Sequence, residues 1–203
     1  IISADMPMAS DKVSMLSRAL EAFSEAGYVY VGMDHFALPD DALAIAKRQG
    51  RLHRNFQGYS TQPDCDLIAL GVSAIGRVGA TYSQNAKTLD EYYDCLDQGR
   101  LPVVRGLALS RDDMVRRSVI MALMCQGQLE IESIELAHLI NFKSYFSAEL
   151  ALLHDMQVQG LVEVTDTSLR VTQTGCYFVR DVAMVFDSYL QADHTRARLA
   201  RII

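Results

Sequence analysis

The sequence predicts an α/β region followed by a mostly helical, winged-helix-like region, with the division near residue 108. Three observations carry this. Up to about residue 100, helical spacing of apolar residues alternates with short β-branched runs, the pattern of an α/β unit. The stretch DLIALGVSAI (66–75) is nearly continuously apolar, as expected of a strand in a parallel sheet covered on both faces. After Ser110 the pattern changes to three helix signals, a hairpin and a closing helix.

The elements follow in order. Met15, Leu16, Ala19, Leu20 and Phe23 recur at helical spacing between the N-cap candidates Ser10 and Asp11 and the stop at Gly27, so 10–26 is a predicted helix. Tyr28-Val29-Tyr30-Val31 is a predicted strand, with Asp34 and His35 at its C-terminal end. Pro39 and Asp40 open a short helix over 41–49, which Gly50 ends. The polar segment 51–62 has no regular period and is expected to be irregular. After the 66–75 strand, Gly79 and Asn85 mark loops, and Thr88 caps a short helix over 88–96. Ser110-Arg111-Asp112-Asp113 starts a strongly apolar helix over 114–125. Further helices are expected over 134–140 and 145–157, the latter stopped by Gly160. A hairpin over 161–164 and 169–171 turns at 166–168, and a last helix runs over 174–190.

Composition bounds the function. The 203 residues are half apolar and 22% charged, enough for a core without disulfides. Nineteen basic against 25 acidic residues give a net charge of −6, which argues against nucleic acid and against a polybasic membrane anchor. From Ser110 onward 9 basic residues face 12 acidic ones, and the helix before the hairpin carries Glu149 and Asp155 but no cation. A recognition helix without cations lacks the phosphate contacts that dominate affinity for DNA. No apolar run reaches about 18 residues, so no membrane span is expected. Cys65, Cys95, Cys125 and Cys176 show no CxxC or CxxxCxxC spacing, which points to free thiols in a reducing cytoplasm and to no metal site. The chain starts Ile1-Ile2-Ser3, which is neither an initiator Met nor a signal peptide; a trimmed chain or a piece of a longer protein is expected.

Three stretches can carry chemistry. In GMDHFA (32–37), Asp34 and His35 end a strand, where open-sheet active sites are built; the competing reading is a locally bonded His and a solvated Asp. HRNFQGY (53–59) puts His53, Arg54, two amides and two aromatics in one loop, which can hold a carboxylate through the Arg54 fork and stack a base on Phe56. Its competing reading is a loop whose aromatics plug the core. ALGVSAIG (69–76) is no dinucleotide fingerprint, and Ile75 offers at most an apolar wall. No GxSxG, Walker or HExxH motif is present.

GMDHFALPDD, HRNFQGYSTQ and DLIALGVSAI, in that order, with RGLALSRDDMVRR and FDSYL after them, closely resemble the oxygen-independent coproporphyrinogen III oxidase family of the radical-SAM superfamily. The resemblance covers nearly the whole chain and corresponds to the C-terminal half of that enzyme. It implies the last part of an incomplete (α/β) barrel over 1–108 and a helical C-terminal domain over 109–203. It implies oxidative decarboxylation of two propionates of coproporphyrinogen III to vinyl groups, giving protoporphyrinogen IX in haem biosynthesis. It implies a 4Fe-4S cluster that cleaves S-adenosylmethionine to a 5′-deoxyadenosyl radical, which abstracts hydrogen from the propionate. The family's CxxxCxxC ligands and GGT loop lie early in the full chain and are absent here, so no catalytic residue is expected in this chain and it is expected to be inactive alone.

The resemblance carries Ile75, Phe56 and Gln57 over to S-adenosylmethionine contacts. Our own additions are Arg54 as partner of a substrate propionate, and His53 and His35 as polar walls or proton donors. The implied partners are coproporphyrinogen III, an electron donor and the N-terminal half of the same protein. An open barrel edge predicts self-association of the chain. The alternative is a non-catalytic tetrapyrrole or haem binder, against which the HRNFQGY loop stands.

Overall fold

The computed structural model describes residues 6–192. Four small antiparallel sheets and a set of helices make up the fold, and among the described residues no strand pair is parallel.

Helix α1 (Ala9–Glu25) leads into a hairpin of β1 (Val29–Gly32) and β2 (His35–Ala37). Phe23 of α1 stacks on Phe36 of β2 with ring centroids 4.3 Å apart. Helix α2 (Ala42–Arg48) starts where the Asp41 carboxylate accepts the Leu43 N–H. Its Lys47 ammonium donates to the carbonyls of Tyr30 and Val31, which ties α2 to β1. A second hairpin, β3 (His53–Asn55) and β4 (Gly58–Ser60), follows. Strands β5 (Ile75–Val78), β6 (Thr81–Asn85) and β7 (Val103–Ala108) form one sheet in that order, with α3 (Leu89–Asp97) between β6 and β7.

Helix α4 (Arg111–Gln126) is the spine. Ser110 and Asp113 cap it reciprocally, and Gly127 ends it in the left-handed conformation. Then come β8 (Gln128–Glu130), α5 (Ile131–His138), α6 (Phe142–Tyr145), α7 (Ser147–Val158), β9 (Val162–Val164) and β10 (Ser168–Val171), with sheet order β8-β10-β9. A 3₁₀ turn (Gly175–Phe178), α8 (Val179–Met184) and α9 (Ser188–Ala192) close the described chain.

The even apolarity of α4 has a cause. Val115, Val119 and Leu123 point into the main core, with Phe142, Phe146, Leu153, Leu169, Val182 and Phe186. Cys125 and Met121 point the other way, into a smaller core with Val31, Ala44, Ala46 and Leu52. A helix packed on two sides loses the polar stripe of a surface helix.

Several sequence expectations are corrected. Residues 66–75 are not a buried parallel strand: 66–74 form a loop with a single antiparallel bridge, Leu67 to Arg77, only Ile75 enters a strand, β5, and Ile68 and Leu70 are 76% and 83% exposed. The Asn85 amide holds that loop by donating to the carbonyls of Ala69 and Gly71, and Gly71 and Ser73 take positive φ, which breaks an extended course. Asp34 and His35 do not end a parallel strand: Met33 and Asp34, both at positive φ, turn the β1–β2 hairpin. The supposedly irregular segment 51–62 contains the β3–β4 hairpin. The 174–190 helix splits into a 3₁₀ turn and two short helices. The end of the chain beyond 192 lies outside the described residues.

Candidate functional site

The HRNFQGY segment is a tight hairpin. His53 pairs with Ser60, Arg54 with Tyr59 and Asn55 with Gly58. The Asn55 carboxamide accepts the Gln57 N–H at 2.8 Å, a local turn that leaves Phe56 and Gln57 at the tip. Because Arg54 and Tyr59 are directly opposite, their side chains share a face, and the guanidinium lies over the Tyr59 ring at 5.0 Å. The Tyr59 hydroxyl donates to the Met124 carbonyl at 2.8 Å and fastens the hairpin to α4. Gln126 adds a second clasp, donating to the Leu52 carbonyl at 3.0 Å.

Between this hairpin, the β5–β7 sheet and α4 lies a cavity of about 540 Å³. His53, Arg54 and Phe56 line it, with Tyr82, Met121 and Met124. Phe56 is half exposed and meets Tyr82 edge-on at 5.2 Å.

Three further charged residues belong to the site. The Asp64 carboxylate receives both terminal nitrogens of Arg117, at 2.8 and 2.9 Å, and Arg77 Nη2 at 2.6 Å. Arg117 also donates from Nε to the Tyr82 hydroxyl at 3.1 Å. Burial pushes the Asp64 carboxyl up, but the Arg117 hydrogen bonds and the Arg117 and Arg77 charges outweigh it and hold the group below the usual carboxylate range. Burial pushes the Tyr59 phenol up to about 12 and the Cys125 thiol up to about 11, in both cases against the charge of Arg54. Arg54 Nη1 is buried and has no hydrogen-bond partner among the described residues.

The structure therefore brings His53, Arg54 and Phe56 together and leaves His35, Gln57 and Ile75 outside the cavity lining. The His35 ring packs edge-on against Tyr59 at 5.2 Å, and its Nδ1 bonds the Met33 carbonyl at 2.8 Å. Gln57 is exposed at the hairpin tip. Ile75 opens β5 on the same sheet face as Arg77, two residues on, whose cross-strand partner is Tyr82. Sequence reasoning missed Asp64, Arg77, Arg117 and Tyr82. The adjacent cations Arg116-Arg117 inside an apolar helix were the available signal.

A chain-wide comparison places these features in context. The HemN C-terminal domain description matches residues 109–178. The oxygen-independent coproporphyrinogen III oxidase of Salmonella typhimurium is 42% identical over 203 residues, 100% of this chain and 44% of that protein. The enzyme of the same name from Pseudomonas aeruginosa is 45% identical over 199 residues, 98% of this chain and 43% of that one. Among solved structures, coproporphyrinogen III oxidase (HemN) from Escherichia coli, described as a radical SAM enzyme, superposes with a TM-score of 0.88 at 44% identity, over 94% of this chain and 44% of that chain. The chain thus spans less than half the length of these relatives.

Proposed function

We propose that the chain belongs with the C-terminal part of the oxygen-independent coproporphyrinogen III oxidases and serves in the decarboxylation of two propionates of coproporphyrinogen III to vinyls. The observation that carries this is the match along all 203 residues at 42% identity.

The residues of this chain do not fit an iron–sulfur cluster. The four cysteines are free and lack cluster spacing, and among the described residues no group of three His, Cys, Asp or Glu is placed to hold a metal. The cluster and the oxidising radical therefore belong to other parts of the protein, and this chain's share is binding. Arg54 takes a substrate propionate, with His53 beside it in the cavity and His35 behind Tyr59. Phe56, Gln57 and Ile75 contact S-adenosylmethionine: an exposed ring, an exposed amide and an apolar side chain suit an adenosyl group.

Two units are proposed: the end of a partial barrel over 1–108, and a winged-helix-like unit over 109–203. The order helix, strand, three helices and hairpin, with sheet order β8-β10-β9, supports the second. The rest of the protein is the expected neighbour of β7, an edge strand exposed at all six residues, and in its absence self-association through that edge is expected. Among the described residues no helix is long and apolar enough to cross a membrane, and free cysteines accord with a cytoplasmic location.

The test is anaerobic turnover of the intact polypeptide with coproporphyrinogen III, S-adenosylmethionine and an electron donor. Formation of protoporphyrinogen IX is expected. An intact protein that binds haem and converts no substrate would overturn the assignment in favour of a tetrapyrrole carrier.

A further inference from the structure

We propose that Arg117 of α4, acting through Tyr82, is the positioning residue of Phe56. The chain of contacts runs from β5 through α4 and β6 to the tip of the β3–β4 hairpin. Arg77 Nη2 donates to Asp64 Oδ1 at 2.6 Å and to the Cys65 carbonyl at 2.7 Å, which fixes the Asp64 carboxylate beside the sheet. Asp64 takes both terminal nitrogens of Arg117, and the remaining Nε–H goes to the Tyr82 hydroxyl at 3.1 Å. All three nitrogens of this guanidinium are engaged, so its plane is set from the 61–66 loop and from β6 at once. Tyr82 then meets Phe56 edge-on, with ring centroids 5.2 Å apart and planes at 86°.

Phe56 needs such a support. It stands at a hairpin tip, 54% exposed, over a turn closed by the Asn55 carboxamide. A ring that far into solvent samples several rotamers unless a neighbour confines it, and a confined ring gives up less freedom when a ligand arrives. Lysine in place of Arg117 would keep the charge toward Asp64 but carries no second, rigidly offset donor for the tyrosine. Ile75, Arg77, Tyr82 and Gln84 share one face of the β5–β6 pair, so the ring that Tyr82 holds is referenced to the surface that carries Ile75.

Arg117 lies within residues 109–178, the span matched by the HemN C-terminal domain, whereas Asp64, Arg77, Tyr82 and Phe56 all precede it. The relay thus makes the C-terminal helices part of the setting of the hairpin tip. That the positioned ring serves S-adenosylmethionine rests on the function proposed above; the relay itself does not.

The experiment places 4-fluorophenylalanine at position 56 of the intact polypeptide and follows its ¹⁹F resonance, alongside the Kd for S-adenosylmethionine measured anaerobically. R117K and Y82F should each shift or broaden the resonance, and the double variant should add little to either single one. Each should raise the Kd about fivefold, the factor that one net hydrogen bond represents. In a Phe56→Ala background neither should raise it further. Y145F removes a 2.6 Å hydrogen bond to Asp112 at the start of α4 and should leave resonance and Kd as in the parent, which separates the relay from general loosening of the helix. A resonance unmoved by R117K and Y82F, a Y145F response equal to theirs, or a Kd that they raise equally with and without Phe56 would overturn the relay even if the intact protein is an active oxidase. A resonance that moves while Phe56→Ala binds S-adenosylmethionine as tightly as the parent would support the relay and overturn the cofactor reading of Phe56.

Discussion

Gly32→Ala probes the joint that holds the candidate site together. Gly32 ends β1 at φ +150, a region that residues with a Cβ rarely enter, and an added Cβ would stand 2.5 Å from the Tyr59 hydroxyl oxygen and 3.0 Å from Cζ. The backbone strain is worth about 1–3 kcal/mol. Pushing Tyr59 aside breaks its hydrogen bond to the Met124 carbonyl, worth about 1 kcal/mol more. The single variant should thus lose about 2–4 kcal/mol, and each kcal/mol corresponds to about 2–4 °C in Tm for a chain of this size. Tyr59→Phe alone should lose about 1 kcal/mol. In a Tyr59→Phe background the nearest clash is gone, so Gly32→Ala should cost roughly 1 kcal/mol less there than in the parent chain. Urea unfolding followed by circular dichroism, completed as a double-mutant cycle, measures this coupling. Strict additivity would refute the claim that Tyr59 crosses over Gly32.

Other outcomes follow from the same contacts. Ser110→Ala removes the reciprocal cap of α4 and should lower stability by about 1 kcal/mol in the same unfolding assay. Asp64 has a depressed folded-state pKa, so its contribution is present above the unfolded value near 4 and is lost as pH falls through the lower folded value. The stability gap between the parent and Asp64→Asn should therefore close on acidification below about pH 4; a gap constant from pH 7 to 2 would contradict the Arg77–Asp64–Arg117 assignment. Thiol labelling at pH 8 should modify exposed Cys65 first and Cys125 last, since Cys125 is 6% exposed and its thiol is pushed up to about 11. Leu153→Ala in the main core should cost about 2–5 kcal/mol, whereas Leu136→Ala, 69% exposed, should change little.

The legible parts of the fold were those where local chemistry and tertiary packing agree. Ser110 and Asp113 open α4, and the 161–164 and 169–171 runs give β9 and β10 with a polar turn between them. The 66–75 run misled because apolar content alone does not show burial: Ile68 and Leu70 lie at the surface. The β5–β7 sheet was hidden because TYSQN in β6 is short and polar, and its pairing with β7 is a long-range event. Of the site, the HRNFQGY residues were legible as a group, since they are adjacent in sequence. The arginine pair on Asp64 was not, because Arg77 and Arg117 reach it from 13 and 53 residues away. Gly32 beneath Tyr59 was equally silent, since only the meeting of the two hairpins gives it a role.

The most direct test of the central claim is to follow carboxyl-labelled coproporphyrinogen III through anaerobic turnover by the intact polypeptide. Two equivalents of labelled carbon dioxide per porphyrinogen are predicted, with none from the 203-residue chain alone and a much-reduced yield from intact Arg54→Ala at subsaturating substrate. An intact protein that binds coproporphyrinogen III and releases no label would contradict the account.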